Sequence, residues 1–235
     1  LLLTTKALVI STIRYQEKSL IVRCFTEAAG LKSYFVRNAF SGKGTQKIAY
    51  FQPLTLLGIE ASHKNKGTLE HFREVRIFAP YHSIPADVTK TTLALFVSEV
   101  LHHAIREEAA NPAFFAFLET AMHWLDTHDM VANFHLILLI ETSKYLGFYP
   151  ETSSPQPFFE MTEGVFVQHL GVSCLSAEDT QLLRRLMTLK FGSDQKIFSS
   201  AQRQKLLKIL MDYYALHLEG FQKPKSIDVL REVFA

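Results

Sequence analysis

Cysteine is nearly missing from this chain of 235 residues: Cys24 and Cys174 stand 150 positions apart, and no CxxC occurs. That excludes a disulfide framework and a cysteine-based zinc site, and it suits a reducing compartment. Long apolar runs are missing too. The longest, Leu136–Ile140 with Phe134 just before it, is far below the roughly 18 residues that a membrane span needs. The start, Leu1-Leu2-Leu3-Thr4-Thr5-Lys6, lacks the basic segment and apolar stretch of a signal peptide, and Leu in place of Met leaves the native start open. A soluble, intracellular protein is expected. Motifs of catalysis are also missing: there is no GxSxG, Walker A loop, HExxH or GxGxxG before a βαβ unit. Gly42-Lys43-Gly44-Thr45 imitates the end of a Walker A loop without the earlier glycine that would bring backbone amides to a phosphate.

What is present argues for a folded protein of one or two domains, since 48% of residues are hydrophobic and 12% aromatic. The net charge of +2 hides an uneven distribution. Residues 1–80 carry twelve Lys/Arg against five acids, or +7, and the remaining 155 residues carry −5. The first part is therefore suited to face a polyanion.

Residues 1–80 alternate with the period of half-buried strands. Lys6–Ile13, Ser19–Phe25, Leu31–Phe40, Ile48–Glu60 with Pro53 at an edge or bulge, and Thr68–Phe78 are the five expected strands. Gly30 closes a turn that calls for positive φ. Five strands, a basic surface and a Gly-containing loop match an OB-type barrel, with an SH3-like barrel as the competitor at this level.

After Pro80 the period becomes helical. Asp87 caps a helix running to about Glu108, and Asn111-Pro112 opens a second through Leu125. A third spans about 131–146, closed by Gly147. Ser176 opens a fourth, 200–218 is a fifth and 225–234 a short last one. Residues 151–175 form an irregular loop with room for a short hairpin at Glu163-Gly164. The expected fold is α+β: a five-stranded OB-fold barrel over residues 1–80, then an all-α bundle over 81–235.

Ten histidines invite a metal reading, yet no pair has the i, i+4 spacing with a carboxylate that a helical zinc site uses. His123 and His128, five apart, lie about 140° from a shared face. The positive signal is cationic and aromatic. Arg14, Lys18, Arg23, Lys32, Arg37, Lys43 and Lys47 recur with Tyr15, Tyr34, Phe35, Phe40 and Tyr50 among them. Single-strand binders need cations along the phosphates and flat rings for the bases. The plainer reading is that the rings fill the barrel and the cations are an ordinary solvated face.

Several segments resemble the RecO family of bacterial recombination mediators. They are Lys6-Ala7-Leu8-Val9-Ile10, Glu17-Lys18-Ser19-Leu20-Ile21-Val22, Phe25-Thr26-Glu27-Ala28-Ala29-Gly30, Phe51-Gln52-Pro53-Leu54, Ser98-Glu99-Val100-Leu101, Leu146-Gly147-Phe148-Tyr149-Pro150 and Lys225-Ser226-Ile227-Asp228-Val229-Leu230. The resemblance implies an OB-fold with a helical domain and no catalytic turnover. It also implies binding of single- and double-stranded DNA, annealing, and loading of RecA, with RecR, onto DNA coated by single-stranded-DNA-binding protein (SSB). RecF is a further partner it suggests, and a cytoplasmic, nucleoid-associated monomer is the expected form. DNA contact then falls to Arg14, Lys18, Arg23, Lys32, Arg37, Lys43, Lys47 and Tyr34. The SSB tail falls to the helical domain, where Lys144, Lys205 and Lys208 can supply charge.

The chain departs from the family in three places. Many relatives carry a four-cysteine zinc site after the Leu-Gly-Phe segment, but residues 152–174 hold one cysteine, so no metal or cofactor is expected and Phe158, Phe159 and Phe166 pack that segment instead. The loop after the third strand has fewer adjacent cations than in many relatives, and Asn133 stands where some have Arg. The competing function is a protein-only adaptor that docks recombination partners without touching DNA.

Overall fold

The computed structural model describes residues 2–40, 48–63, 69–106, 109–151, 155–193 and 195–234. They form two compact units, Leu1–Thr127 and His128–Ala235. Strand gives way to helix near residue 80, yet the first two helices group with the sheet.

In the first unit, β1 (Leu2–Tyr15), β2 (Ser19–Thr26), β3 (Gly30–Val36), β4 (Leu56–Ser62) and β5 (His71–Ile77) make one antiparallel sheet in the order β3-β2-β1-β4-β5. β1 is long enough to serve two partners. Its first half pairs with β4 (Leu2↔Ser62 to Leu8↔Leu56) and its second with β2 (Ala7↔Thr26 to Tyr15↔Ser19). A bulge between Val9 and Ser11 bends it. Ser98 then donates to the carbonyl oxygen of Ile10 at 2.8 Å.

The edges of the sheet meet at a parallel bridge, Tyr34↔Glu70, where Phe35 N–H donates to Glu70 O (2.9 Å) and Glu70 N–H to Ser33 O (2.8 Å). The sheet is thus a partly open OB-type barrel, as expected from the strands of residues 1–80. Gly30 has φ +67°, as the turn required, and the Thr26 hydroxyl fastens that turn by donating to Gly30 O at 2.8 Å.

The expected third strand stops at Val36, because Asn38 turns into the left-handed region at φ +51°. The expected strand 48–60 is a strand only from Leu56. Ala49–Phe51 form a 3-10 turn, Pro53 has no N–H for a ladder, and Leu54 sits at φ +60°. Phe51 is thereby turned into the barrel as a plug, and Thr12 donates to its carbonyl at 2.9 Å.

Helix α1 (Val88–Ala104) is capped by Asp87, which accepts from Lys90 N–H at 3.0 Å. It ends earlier than expected, at an extended Ile105. Helix α2 (Pro112–Thr127) opens on Asn111, accepting from Phe114 N–H. These helices cover the outer face of the sheet near Leu8, Ile10 and Phe25, which is why residues 7–10 are buried on both faces and read as a continuous apolar run. Asp126 at the end of α2 accepts backbone N–H bonds from His82, Ser83 and Ile84 at 2.8–3.0 Å. Burial works against its ionisation, but these donors prevail and hold its carboxyl below the usual range.

The second unit contains α3 (Phe134–Tyr145), a hairpin of β6 (Phe158–Glu160) and β7 (Val165–Val167), α4 (Ala177–Thr188), α5 (Ser200–His217) and α6 (Ile227–Val233). Gly147 at φ +83° ends α3, and Ser176 caps α4 through Asp179 N–H. α5 begins with a full capping box between Ser199 and Gln202. The hairpin turns at Gly164, φ +70°. Phe159 and Phe166 pack inward on each other at 5.0 Å and Phe159 on Tyr213 at 5.6 Å, while Phe158 faces the other way and is half-buried. The apolar packing expected of this segment therefore involves two of the three phenylalanines.

Candidate nucleic-acid interface

Register decides which side chains share a surface. Ile13 lies opposite Ile21, and Ile21 opposite Phe35, so these three form one row across β1, β2 and β3. Two positions further on stand Tyr15 opposite Ser19, then Arg37 just past β3. The rows between, with Leu20, Val22, Cys24, Tyr34 and Val36, face the barrel interior and are buried.

On the outer face, Tyr15 and Ile13 are 44% and 56% exposed, which makes them available to a ligand. Tyr15 and Phe35 meet edge to face, centroids 5.9 Å apart, and Phe35 meets His71 in the same way at 6.1 Å. The Arg37 guanidinium lies 5.9 Å from the Phe35 ring centre. Arg14, at the end of β1, lies 4.7 Å from the ring centre of exposed Phe40 and donates to Glu17 O at 3.1 Å. Lys18 is exposed in the same β1–β2 turn. Three of the expected cations therefore stand at one end of the barrel, among rings. In OB-type barrels the face of strands 2 and 3 and the loops joining strands 1–2 and 4–5 take oligonucleotides.

The other expected residues are placed differently. Tyr34, chosen as a ring for a base, is fully buried. It stacks on Phe72 at 4.2 Å and its hydroxyl lies 2.8 Å from His63 Nε2. Burial pushes the Tyr34 hydroxyl up and the His63 imidazole down. No base can reach Tyr34, so its assignment to DNA is corrected to the barrel core. Arg23 donates to His102 O at 3.2 Å and Ile105 O at 3.3 Å, closing the C-terminal end of α1, where a cation meets the helix carbonyls. Lys32 is half-buried opposite Cys24. Lys43 and Lys47 lie outside the described residues. Cys24 is fully buried and its thiol is pushed up by that burial, which suits a small packed hydrophobe.

In the second unit the three lysines assigned to a partner tail already hold carboxylates. Lys144 pairs with Glu141 at 2.7 Å and lies 4.5 Å from the Tyr149 ring centre. Lys205 pairs with Asp179 at 2.5 Å, and Lys208 with Asp212 at 3.0 Å. Among the described residues no group of three or more His, Cys, Asp or Glu could hold a metal ion, and no helix is long and apolar enough to cross a membrane.

Sequence reasoning counted Tyr15 and Phe35 among the rings of this segment, but it chose Tyr34 as the DNA contact and left out Ile13. The signal was ambiguous: Tyr34 and Phe35 are adjacent, with Lys32 in step with one and Arg37 with the other, so neither ring nor charge fixes which alternation points outward.

Comparison with known proteins is consistent along the chain. A family model described as Recombination protein O N terminal matches residues 1–81, and one described as Recombination protein O C terminal matches residues 85–155. The chain is 63% identical over 234 residues to the DNA repair protein RecO of Flavobacterium psychrophilum, with 98% of each chain covered. It is 56% identical over 233 residues, again 98% of each, to that of Flavobacterium johnsoniae. Identity to that of Christiangramia forsetii is 37% over 238 residues, the whole of both chains.

Proposed function

The chain belongs to the RecO family of recombination proteins, and from that premise we propose that it is a non-catalytic, DNA-binding recombination mediator. It binds and anneals single strands and helps load RecA on SSB-coated DNA in gap repair and homologous recombination. It acts as a monomer in the cytoplasm and joins the nucleoid during repair. RecR and the SSB tail are its partners, with RecF and RecA as further ones. The observation that carries the reading is the surface where Arg14, Lys18 and Arg37 stand among Tyr15, Phe35 and Phe40 on a chain segment of charge +7. DNA contact is assigned to residues 1–80. An acidic tail docking at Lys144, Lys205 or Lys208 must compete with Glu141, Asp179 or Asp212 for each ammonium group.

The test is fluorescence anisotropy of labelled oligo-dT across a salt series. Binding that weakens linearly in log-log form supports the reading, because each neutralised phosphate releases counterion. Substituting Arg14, Arg37 and Lys43 together weakens binding to all sequences alike and lowers the slope by about 2, at roughly 0.7 per phosphate on single strands. An absence of binding even at low salt refutes it in favour of the protein-only adaptor.

A further inference from the structure

Charge alone cannot distinguish a single strand from a duplex, since both offer phosphates; exposed rings can. We propose that Tyr15 and Phe35 form a stacking platform that gives this surface its preference for single strands, an inference that rests on the DNA-binding reading above. The rings sit on adjoining rows of one sheet face at a mutual angle of 84°, and a third ring, His71, meets Phe35 at 87°. Ile13 and Ile21 extend the same face as an apolar floor. Ile13 and Tyr15 are exposed and Ile21 and Phe35 half-buried beside them, an apolar patch on a sheet face that suits an occupant.

The cations beside it identify that occupant. Arg37 is within 5.9 Å of the Phe35 centre, Arg14 and Lys18 are at the adjoining end of β1, and Glu17 is the acid in that turn. A ligand that presents flat apolar faces on a polyanionic backbone satisfies both halves of this surface, and unpaired nucleotides are that chemistry. In a duplex the base faces are already covered by their neighbours, so the platform adds nothing and only the cations act. The single-strand preference is therefore built from rings, and the salt dependence from arginine and lysine.

Labelled oligo-dT and a mixed-sequence duplex of equal length, titrated into full-length wild type, Tyr15→Leu, Phe35→Leu, Tyr15→Trp and Arg37→Gln, test this. The leucine variants are expected to bind the single strand roughly 5- to 100-fold more weakly. Their duplex affinity and salt slopes stay unchanged. Tyr15→Trp keeps the single-strand affinity and its new fluorescence is quenched by oligo-dT. Arg37→Gln weakens both substrates and lowers the slope by about 0.7 on the single strand. Leucine variants that bind oligo-dT like wild type, or that lose single strand and duplex equally, overturn the platform while leaving the DNA-binding reading intact. A wild type that binds neither substrate at low salt overturns that reading itself.

Discussion

Tyr34 offers a sharp test, because the sequence places it among the DNA contacts and the structure places it in the core. Consider Tyr34→Leu. The change removes a ring stacked 4.2 Å from Phe72 and a hydroxyl 2.8 Å from His63 Nε2. The aromatic pair is worth about 0.5–1.5 kcal/mol beyond its buried area. Leaving His63, which is 3% exposed, without the hydroxyl costs about 1–3 kcal/mol. Together the loss is about 2–4 kcal/mol. With a urea slope of about 2 kcal/mol per molar, the unfolding midpoint falls by roughly 1–2 M. Trp124 is the single tryptophan and belongs to α2 of the same unit, so its fluorescence follows that unit's unfolding. Tyr34→Phe, keeping the ring, should lose only the hydroxyl's share of about 1–3 kcal/mol. Below the transition, Tyr34→Leu should bind oligo-dT within twofold of wild type. An unchanged midpoint together with a tenfold loss of DNA affinity would refute the placement of Tyr34 inside the barrel.

Three other outcomes follow from the packing. Gly164→Ala places a Cβ against the Tyr213 hydroxyl at φ +70° and should displace that hydroxyl from Phe148 O; thermal melting followed by circular dichroism should show a loss of about 2–3 kcal/mol. Asp126→Ala strips three backbone N–H groups of their acceptor and should cost about 2–4 kcal/mol by Trp124 fluorescence, with Asp126→Asn costing about half. Burial, helped by the nearby Arg203 charge, pushes the His135 imidazole down to about 3. The unfolded chain binds a proton at this side chain below pH 6.5 that the folded chain refuses. Stability is therefore complete above that value and falls on acidification towards pH 3, by up to about 1.4 kcal/mol per pH unit. His135→Gln should flatten the dependence of the denaturation midpoint between pH 6.5 and 5; an unaltered slope would assign it elsewhere.

Much of the fold was legible because local chemistry fixes it. Asp87, Asn111 and Ser176 cap helices where a short acceptor precedes an apolar period, and Gly30, Gly147 and Gly164 turn where positive φ is required. The hairpin at Gly164 was legible for the same reason. What misled the reading was apolar sequence with no unique period. Ile48, Tyr50 and Phe51 suit a strand or a helical turn equally, and only Pro53 and the left-handed Leu54 show that they plug the barrel. In β1, residues 7–10 lose their alternation because helices cover one face and the barrel core the other.

The order of strands and helices, the basic character of residues 1–80 and the cations at the ends of β1 and β3 follow from composition, periodicity and turn chemistry, which are properties of neighbouring residues. The family was legible instead in the order and spacing of short motifs along the chain. Tertiary structure alone decided which of two adjacent rings, Tyr34 or Phe35, points into the barrel, since that parity is set by pairing with β2 and by the bridge to Glu70. It alone decided that Arg23 closes a helix 79 residues away and that Lys144, Lys205 and Lys208 already hold carboxylates. A charge counted along the chain becomes a binding group only after the fold has chosen its neighbours.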